Sequence, residues 1–289
     1  MPVRDLLSSG IGIVAAQHRL AIDVGNTRVK LGLFACPNSR PRGELPTCVE
    51  RTTLLSGEPL PSELLAHWQS AVTNWLPPII AGSNPSGIQQ LLAAWPSSLG
   101  PQPQTVANTD DFPLTIRVDE PRRVGIDRLL NAIAVNELRR SDRPAIIVDS
   151  GTATTVDVVS ADGAFEGGAI LPGLALSAKA LHEYTALLPL VSVPELGQAT
   201  PEPLGRNTRA AIRSGLFWGQ LGAVKELIAR QAERDVDIFV TGGGGALLAN
   251  FLENAHLSRD PFFWIGKNDN GRRHSAHGQR PTAGPTTCG

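Results

Sequence analysis

Two short stretches place the same chemistry at separate points of the chain: DVGNT beginning at Asp23 and DSGTAT beginning at Asp149. In each, an aspartate stands two positions before a glycine and is followed by hydroxyl or amide side chains. Glycine lets backbone N–H groups turn outward, Asn26, Thr27, Thr152 and Thr154 add donors, and the aspartate can hold a cation or its water. Such a loop suits phosphate. Either stretch alone reads more simply as an Asx-type turn; in matching contexts the two read as paired phosphate loops. Neither is a Walker A loop, because each joins two strands and carries too few glycines.

The segment VGIDR at 124–128 supplies a different pairing. An aspartate and an arginine at the start of a helix can offer an acceptor and a planar donor fork to one small substrate, which makes Asp127 the candidate catalytic group. Its plainer reading is that Asp127 complements the helix dipole while Arg128 sits in solvent. In TGGGG at 241–245 the missing side chains would let an adenine ring or a phosphate approach the backbone, although a ligand-free strand-to-helix turn is the commoner use. The six histidines show no metal spacing on a helix face.

The elements that must hold these groups follow from periodicity. Residues 20–23 read as a strand, and Val29, Leu31 and Leu33 alternate along a second one joined to it by the first loop. A third strand is expected at 48–54, a helix from Ser62 to about residue 76 with Ser62 as its cap, a short strand at PIIA, and a helix at about 87–95. PLTIRV reads as one more strand, and GIDRLLNAIAVNELRR has helical spacing. In the second half, apolar runs broken by DSGT, Asp162-Gly163 and Pro172-Gly173 predict three strands in succession. Helices at 174–187 and after Arg206, the strand DIFV and a helix over ALLANFLEN complete it. Each half opens with a strand, an Asp-x-Gly-polar loop and a strand.

Composition narrows the class. The 289 residues are 42% hydrophobic and 18% charged with a formal net charge of -1, which suits a globular protein and gives no electrostatic footprint for nucleic acid. Cys36, Cys48 and Cys288 are too few and too scattered for a disulfide framework or a zinc site, so a reducing cytoplasm fits best. No apolar run approaches the roughly 20 residues of a membrane helix. Residues 1–18 read as an extension, and residues 266–289 as a polar tail too poor in apolar surface to order itself.

Taken in order, DVGNT, GIDR, DSGTATTVD with EGGAILPG, LGRNTRAAIRSG and TGGGG closely resemble the type III pantothenate kinase family, over roughly residues 20–250. The resemblance implies an α/β chain with a duplicated ribonuclease H-like fold of the actin-like ATPase superfamily. Its two lobes, 19–140 and 141–265, would enclose an ATP cleft. The implied reaction is ATP-dependent phosphorylation of pantothenate to 4'-phosphopantothenate, the first step of coenzyme A synthesis. The family pattern assigns ATP binding to Asp23, Val24, Gly25, Asn26, Thr27, Arg28, Val29, Lys30 and Thr152. It assigns pantothenate to Gly125, Ile126, Asp127 and Arg128, with Asp127 as proton acceptor and Thr208 as a further contact. Asp149 would hold a monovalent cation, K+ or NH4+, and Mg2+ would accompany ATP.

The resemblance further implies a cytoplasmic homodimer built on the long helix containing SGLFWGQLGAV, with no nucleic-acid or membrane partner. Two positions depart from the pattern: Ser150 where an aromatic residue is common, and Val118 where a tyrosine often lines the substrate pocket. Two other functions stay open at this level. One is a non-catalytic nucleotide-binding regulator of the same fold, against which the intact Asp127 argues. The other is a kinase or phosphatase of the superfamily acting on another small substrate.

Overall fold

The computed structural model describes residues 17–37, 43–140, 142–197, 199–231, 235–253 and 255–257. Its elements run β1 (Gln17–Val24), β2 (Arg28–Cys36), β3 (Thr47–Leu55), α1 (Ser62–Ser70), β4 (Trp75–Ala81), α2 (Pro85–Ala93), β5 (Gln104–Thr105) and α3 (Ile126–Leu138). They continue with β6 (Ala145–Ser150), β7 (Ala153–Val159), β8 (Phe165–Pro172), α4 (Leu174–Glu183), α5 (Val193–Gly197), α6 (Thr208–Gln231), β9 (Asp237–Thr241), α7 (Gly245–Ala249) and β10 (Ala255–Leu257).

Two five-stranded sheets repeat one plan. The first has the order β3-β2-β1-β4-β5 and the second the order β8-β7-β6-β9-β10. In each, three antiparallel strands are followed by two that run parallel to the first. This is a duplicated ribonuclease H-like fold. The central strands read as continuous apolar runs because helices or loops cover both faces: Leu20, Ala21 and Ile22 on β1 and Ala145, Ile146, Ile147 and Val148 on β6 have no exposed surface.

The first core joins β1 and β2 to α1 and α2 through Leu65, Trp68, Ile88 and Leu91. The second sheet is covered on one face by α6 and α7, through Phe217, Leu221, Val224 and Leu248. Its other face receives α3: Leu129, Ala132 and Val135 pack with Ile147, Val159, Phe165 and Phe239. A helix that precedes the second half in sequence is thus seated on that half's sheet.

Several expected bounds move. The first helix ends at Ser70, because Trp75 and Leu76 pair in parallel with His18 and Arg19 and belong to β4. Pro61, not Ser62, is its N-cap, and the Ser62 hydroxyl donates to the Leu60 carbonyl at 3.4 Å instead of capping the helix. PLTIRV makes no strand of its own. It touches β8 at a single bridge, with the N–H of Arg117 donating to the Phe165 carbonyl and that of Phe165 to the Thr115 carbonyl, each at 2.8 Å. Pro113 at its start has no N–H to extend the ladder. α4 stops at Glu183 and α7 at Ala249, short of the expected ends. β1 already includes Gln17 and His18; residues 1–16 and the expected tail at 266–289 lie outside the described residues.

Candidate active site

The first loop sits in the β1–β2 turn, where register does the chemistry. Asp23 is paired directly with Lys30 across the antiparallel ladder, so the two side chains emerge side by side. Lys30 Nζ donates to Asp23 Oδ2 at 2.9 Å. The turn closes with the N–H of Gly25 donating to the Arg28 carbonyl at 2.9 Å. Its counterpart in the β6–β7 turn closes with the N–H of Gly151 donating to the Ala153 carbonyl, also at 2.9 Å. Asp149 there faces Thr155 in the ladder.

The duplication extends to what backs each loop. After β4, Gly82 lies so near β1 that a Cβ would stand 2.2 Å from the Val24 carbonyl oxygen, and the N–H of Asn84 donates to that oxygen at 3.2 Å. After β9, Gly242 (φ 86°) leaves space that a Cβ would fill 2.4 Å from Asp149 Oδ1, and the N–H of Gly244 donates to the Ser150 carbonyl at 2.8 Å. The glycine run at 242–245 therefore buttresses the second loop, and glycine is required at Gly242, whose Cβ would stand 2.5 Å from the Ser150 carbonyl oxygen. A Cβ on Gly244 would stand 2.5 Å from Ser150 Oγ, so the small Ser150 is matched to this turn. The two loops meet: Thr27 Oγ1 and Thr152 Oγ1 are 3.1 Å apart.

α3 supplies the remaining groups. Asp127 lies in its first turn, where Oδ1 accepts the Arg128 N–H at 2.9 Å and folds back over Gly125, whose Cβ would stand 2.6 Å away. One turn later the buried Asn131 donates from Nδ2 to Asp149 Oδ2 at 3.0 Å. Arg128 turns to β7: its Nε lies 3.0 and 3.2 Å from the two Asp157 oxygens, and its Nη2 also donates to Asp157 Oδ1. The fork expected to reach a substrate or solvent is thus engaged along one edge by a buried carboxylate.

Burial and charge set the ionisation of this cluster. Removal from water pushes Asp149 up to about 6, although Lys30 and the Asn131 hydrogen bond draw it down. Burial likewise raises Asp127, with the neighbouring Asp23 charge adding to it against the Arg128 backbone bond. Burial opposes the Lys30 ammonium, yet Asp23, helped by Asp149 and Asp127, holds its pKa above the ordinary lysine value. The mutual influence of Asp23, Asp127, Asp149 and Lys30 makes them one electrostatic unit. Three carboxylates act on one ammonium here, and Asp149 Oδ1 lies beside Gly242. No set of three His, Cys, Asp or Glu side chains among the described residues forms a metal cage by itself.

Thr208, at the start of α6, is exposed, and no hydrogen bond or ion pair joins it to the cluster among the described residues. Val118 is half-buried against the α3 core, near Gly167. Sequence reasoning did not single out Asn131, Asp157 or Gly82. The position of Asn131 four residues after Asp127 on one helix face was the available signal for the first. No described helix is long and apolar enough to cross a membrane.

A family model described as type III pantothenate kinase matches residues 19–230. A protein of Moorella thermoacetica (strain ATCC 39073 / JCM 9320) described by that name is 36% identical over 228 residues, covering 78% of this chain and 87% of its own. One of Thermomicrobium roseum (strain ATCC 27502 / DSM 5159 / P-2) is 36% identical over 241 residues, with 80% and 87% covered. One of Phenylobacterium zucineum (strain HLK1) is 40% identical over 162 residues, a match spanning 56% of this chain and 60% of that protein. Among solved structures, a conserved Baf family transcriptional activator from Campylobacter jejuni superposes with a TM-score of 0.51 at 20% identity, covering 83% of this chain and 91% of that one. That likeness is one of fold.

Proposed function

The chain belongs to the type III pantothenate kinase family, ATP-dependent phosphotransferases acting on pantothenate in coenzyme A synthesis, and we propose how its residues divide that work. ATP is held between the two Asp-Gly loops, by residues 23–30 on one side and Thr152 on the other. Outward N–H groups and the paired hydroxyls bind its phosphates. Lys30 offsets phosphate charge in the place where a Walker A loop would use its own lysine.

Pantothenate lies against the first turn of α3, at Gly125, Ile126, Asp127 and Arg128, with Thr208 as a further contact. Asp127 accepts a hydrogen bond from the primary hydroxyl and takes its proton late, once oxygen has begun bonding to phosphorus. A carboxylate raised by burial is a better acceptor for that proton than one in water. The edge of Arg128 not engaged by Asp157 faces the substrate carboxylate. Asp149 Oδ1 would hold a monovalent cation, which supplies positive charge where the loop N–H groups leave phosphate uncompensated. Magnesium accompanies the nucleotide.

We also propose a cytoplasmic homodimer. Supporting it, Gly215, Gly219 and Gly222 on the outer side of α6 have no neighbour within 4 Å of where a Cβ would lie, and Tyr184 and Leu187, just after the α4 helix that packs against α6, are exposed.

The observation that carries this reading is the convergence of Asp23, Asp127 and Asp149 around one ammonium, beside two touching loop hydroxyls. Purified protein given MgATP, potassium and pantothenate should release ADP and form a phosphorylated pantothenate. ADP release indifferent to pantothenate would overturn the assignment.

A further inference from the structure

Asp157 is 1% exposed on β7, and nothing in the proposed reaction uses it directly. Its carboxylate takes the Nε edge of Arg128, whose side chain is itself only 14% exposed. The site is made for this pair. A Cβ on Gly168 would stand 2.5 Å from Asp157 Oδ1, so glycine on β8 leaves the carboxylate its room. The Arg128 guanidinium carbon also lies over the Phe165 ring, 5.4 Å from its centroid.

The consequence concerns the neighbouring residue. Asp127 and Arg128 are adjacent in one helical turn, and a guanidinium without a partner in a buried site takes the nearest carboxylate. Asp127 is within reach of that charge: both side chains border Gly125, whose Cβ would stand 2.6 Å from Asp127 Oδ1 and 3.8 Å from Arg128 Cδ, and the Arg128 charge already acts on Asp127. With the fork turned to Asp157, the Asp127 carboxylate accepts from the Arg128 backbone N–H and, among the described residues, from no side chain.

We propose that Asp157 is a positioning residue that holds the Arg128 guanidinium away from Asp127, leaving the Asp127 carboxylate open to accept the substrate proton. The inference rests on the reading of Asp127 as proton acceptor. It assigns to the motif DSGTATTVD a second task, carried by its last aspartate, besides phosphate binding. The charged groups that act on Asp127 are Arg128 on its own helix, Asp23 on β1, Lys30 on β2, Asp149 on β6 and Asp157 on β7. Of these, only Arg128 is redirected when Asp157 loses its charge.

The test is a double-mutant cycle of Asp157→Asn and Arg128→Gln, with kcat, KM for pantothenate and the pH dependence of kcat measured per folded protein. Asp157→Asn should lower kcat about tenfold or more and move the acid limb of the profile down by about one pH unit, as expected when a cation pairs with a carboxylate. Adding Arg128→Gln should restore kcat toward that of Arg128→Gln alone and return the limb, while KM stays raised. A merely structural Asp157 would give a double variant no better than Asp157→Asn, and a limb that stays down when Arg128→Gln is added, since loss of the Asp157 charge alone also lowers it; either result overturns the proposal. If Asp157→Asn does not fold, the cycle still decides: in the Arg128→Gln background, removing the Asp157 charge should change kcat less than about twofold, and a larger loss overturns the proposal. Wild-type protein inert toward pantothenate would instead defeat the functional reading beneath it.

Discussion

The hydroxyl oxygens of Thr27 and Thr152 lie 3.1 Å apart, although they belong to different sheets of the duplicated fold. Each ends a turn of the same design, and their contact closes the floor on which a phosphate chain would rest. A bound phosphate oxygen would accept from both. Thr152→Val should therefore raise KM for ATP about tenfold, the scale of one lost hydrogen bond to a charged group. Its thermal stability and the KM for pantothenate should change little. Equal rises in both KM values would place Thr152 elsewhere in the reaction.

Asp127→Asn keeps shape and removes the carboxylate proposed as proton acceptor. Turnover should fall about 100-fold or more, within the range general-base groups contribute, while nucleotide affinity measured by titration calorimetry stays within a few-fold of wild type. Retained turnover would transfer the role to another group.

Gly242 combines a left-handed backbone (φ 86°) with a Cβ position 2.4 Å from Asp149 Oδ1 and 2.5 Å from the Ser150 carbonyl. Gly242→Ala must strain the backbone and push on Asp149 at once. A loss of about 1–3 kcal/mol in urea denaturation is expected, together with a weaker response of activity to potassium over sodium. An alanine variant with wild-type stability and salt response would show that the turn yields freely.

Asp149, raised to about 6 by burial, makes stability depend on pH in a stated direction. Below the ordinary carboxylate range both folded and unfolded chains carry its proton and there is no penalty. As pH rises from about 4 to about 6 the unfolded chain loses that proton first, so the native state is progressively disfavoured, by roughly 2–3 kcal/mol above pH 6. Asp149→Asn should accordingly be more stable than wild type at pH 7.5 in potassium-free buffer, and the gap should narrow to about a third of that by pH 4.5. Urea midpoints at three pH values measure it; a gap that widens toward acid contradicts the sign.

Both Asp-Gly loops, the helix beginning at Gly125 and the glycine run after DIFV were legible, because each carries its chemistry within a few consecutive residues. Asp157 was not. It lies in TTVDVV, where a polar residue in a β alternation ordinarily marks a solvent-facing position, and only the fold brings Arg128 to it. Gly82 passed as a plain turn because GSNP looks like one. Its likeness to Gly242 exists in the way each packs against a loop, not in flanking residues. PLTIRV has strand composition, yet a strand needs a partner along its length, and β8 meets it at one point only. The end of α1 was misplaced because Trp75 and Leu76 continue the helical apolar spacing while serving β4.

The seating of α3 on the second sheet has a mechanical result. Through its apolar contacts, the Asn131 bond to Asp149 and the Arg128 clasp on Asp157, the helix is bolted to the half that carries Thr152. If the halves swing apart to admit nucleotide, Asp127 rides with Asp149 and Thr152 as one cargo, and Asp23 with Lys30 departs on the opposite jaw. The spacing between Asp127 and Asp149 is then preserved through every opening, and closure has only one gap to bring home.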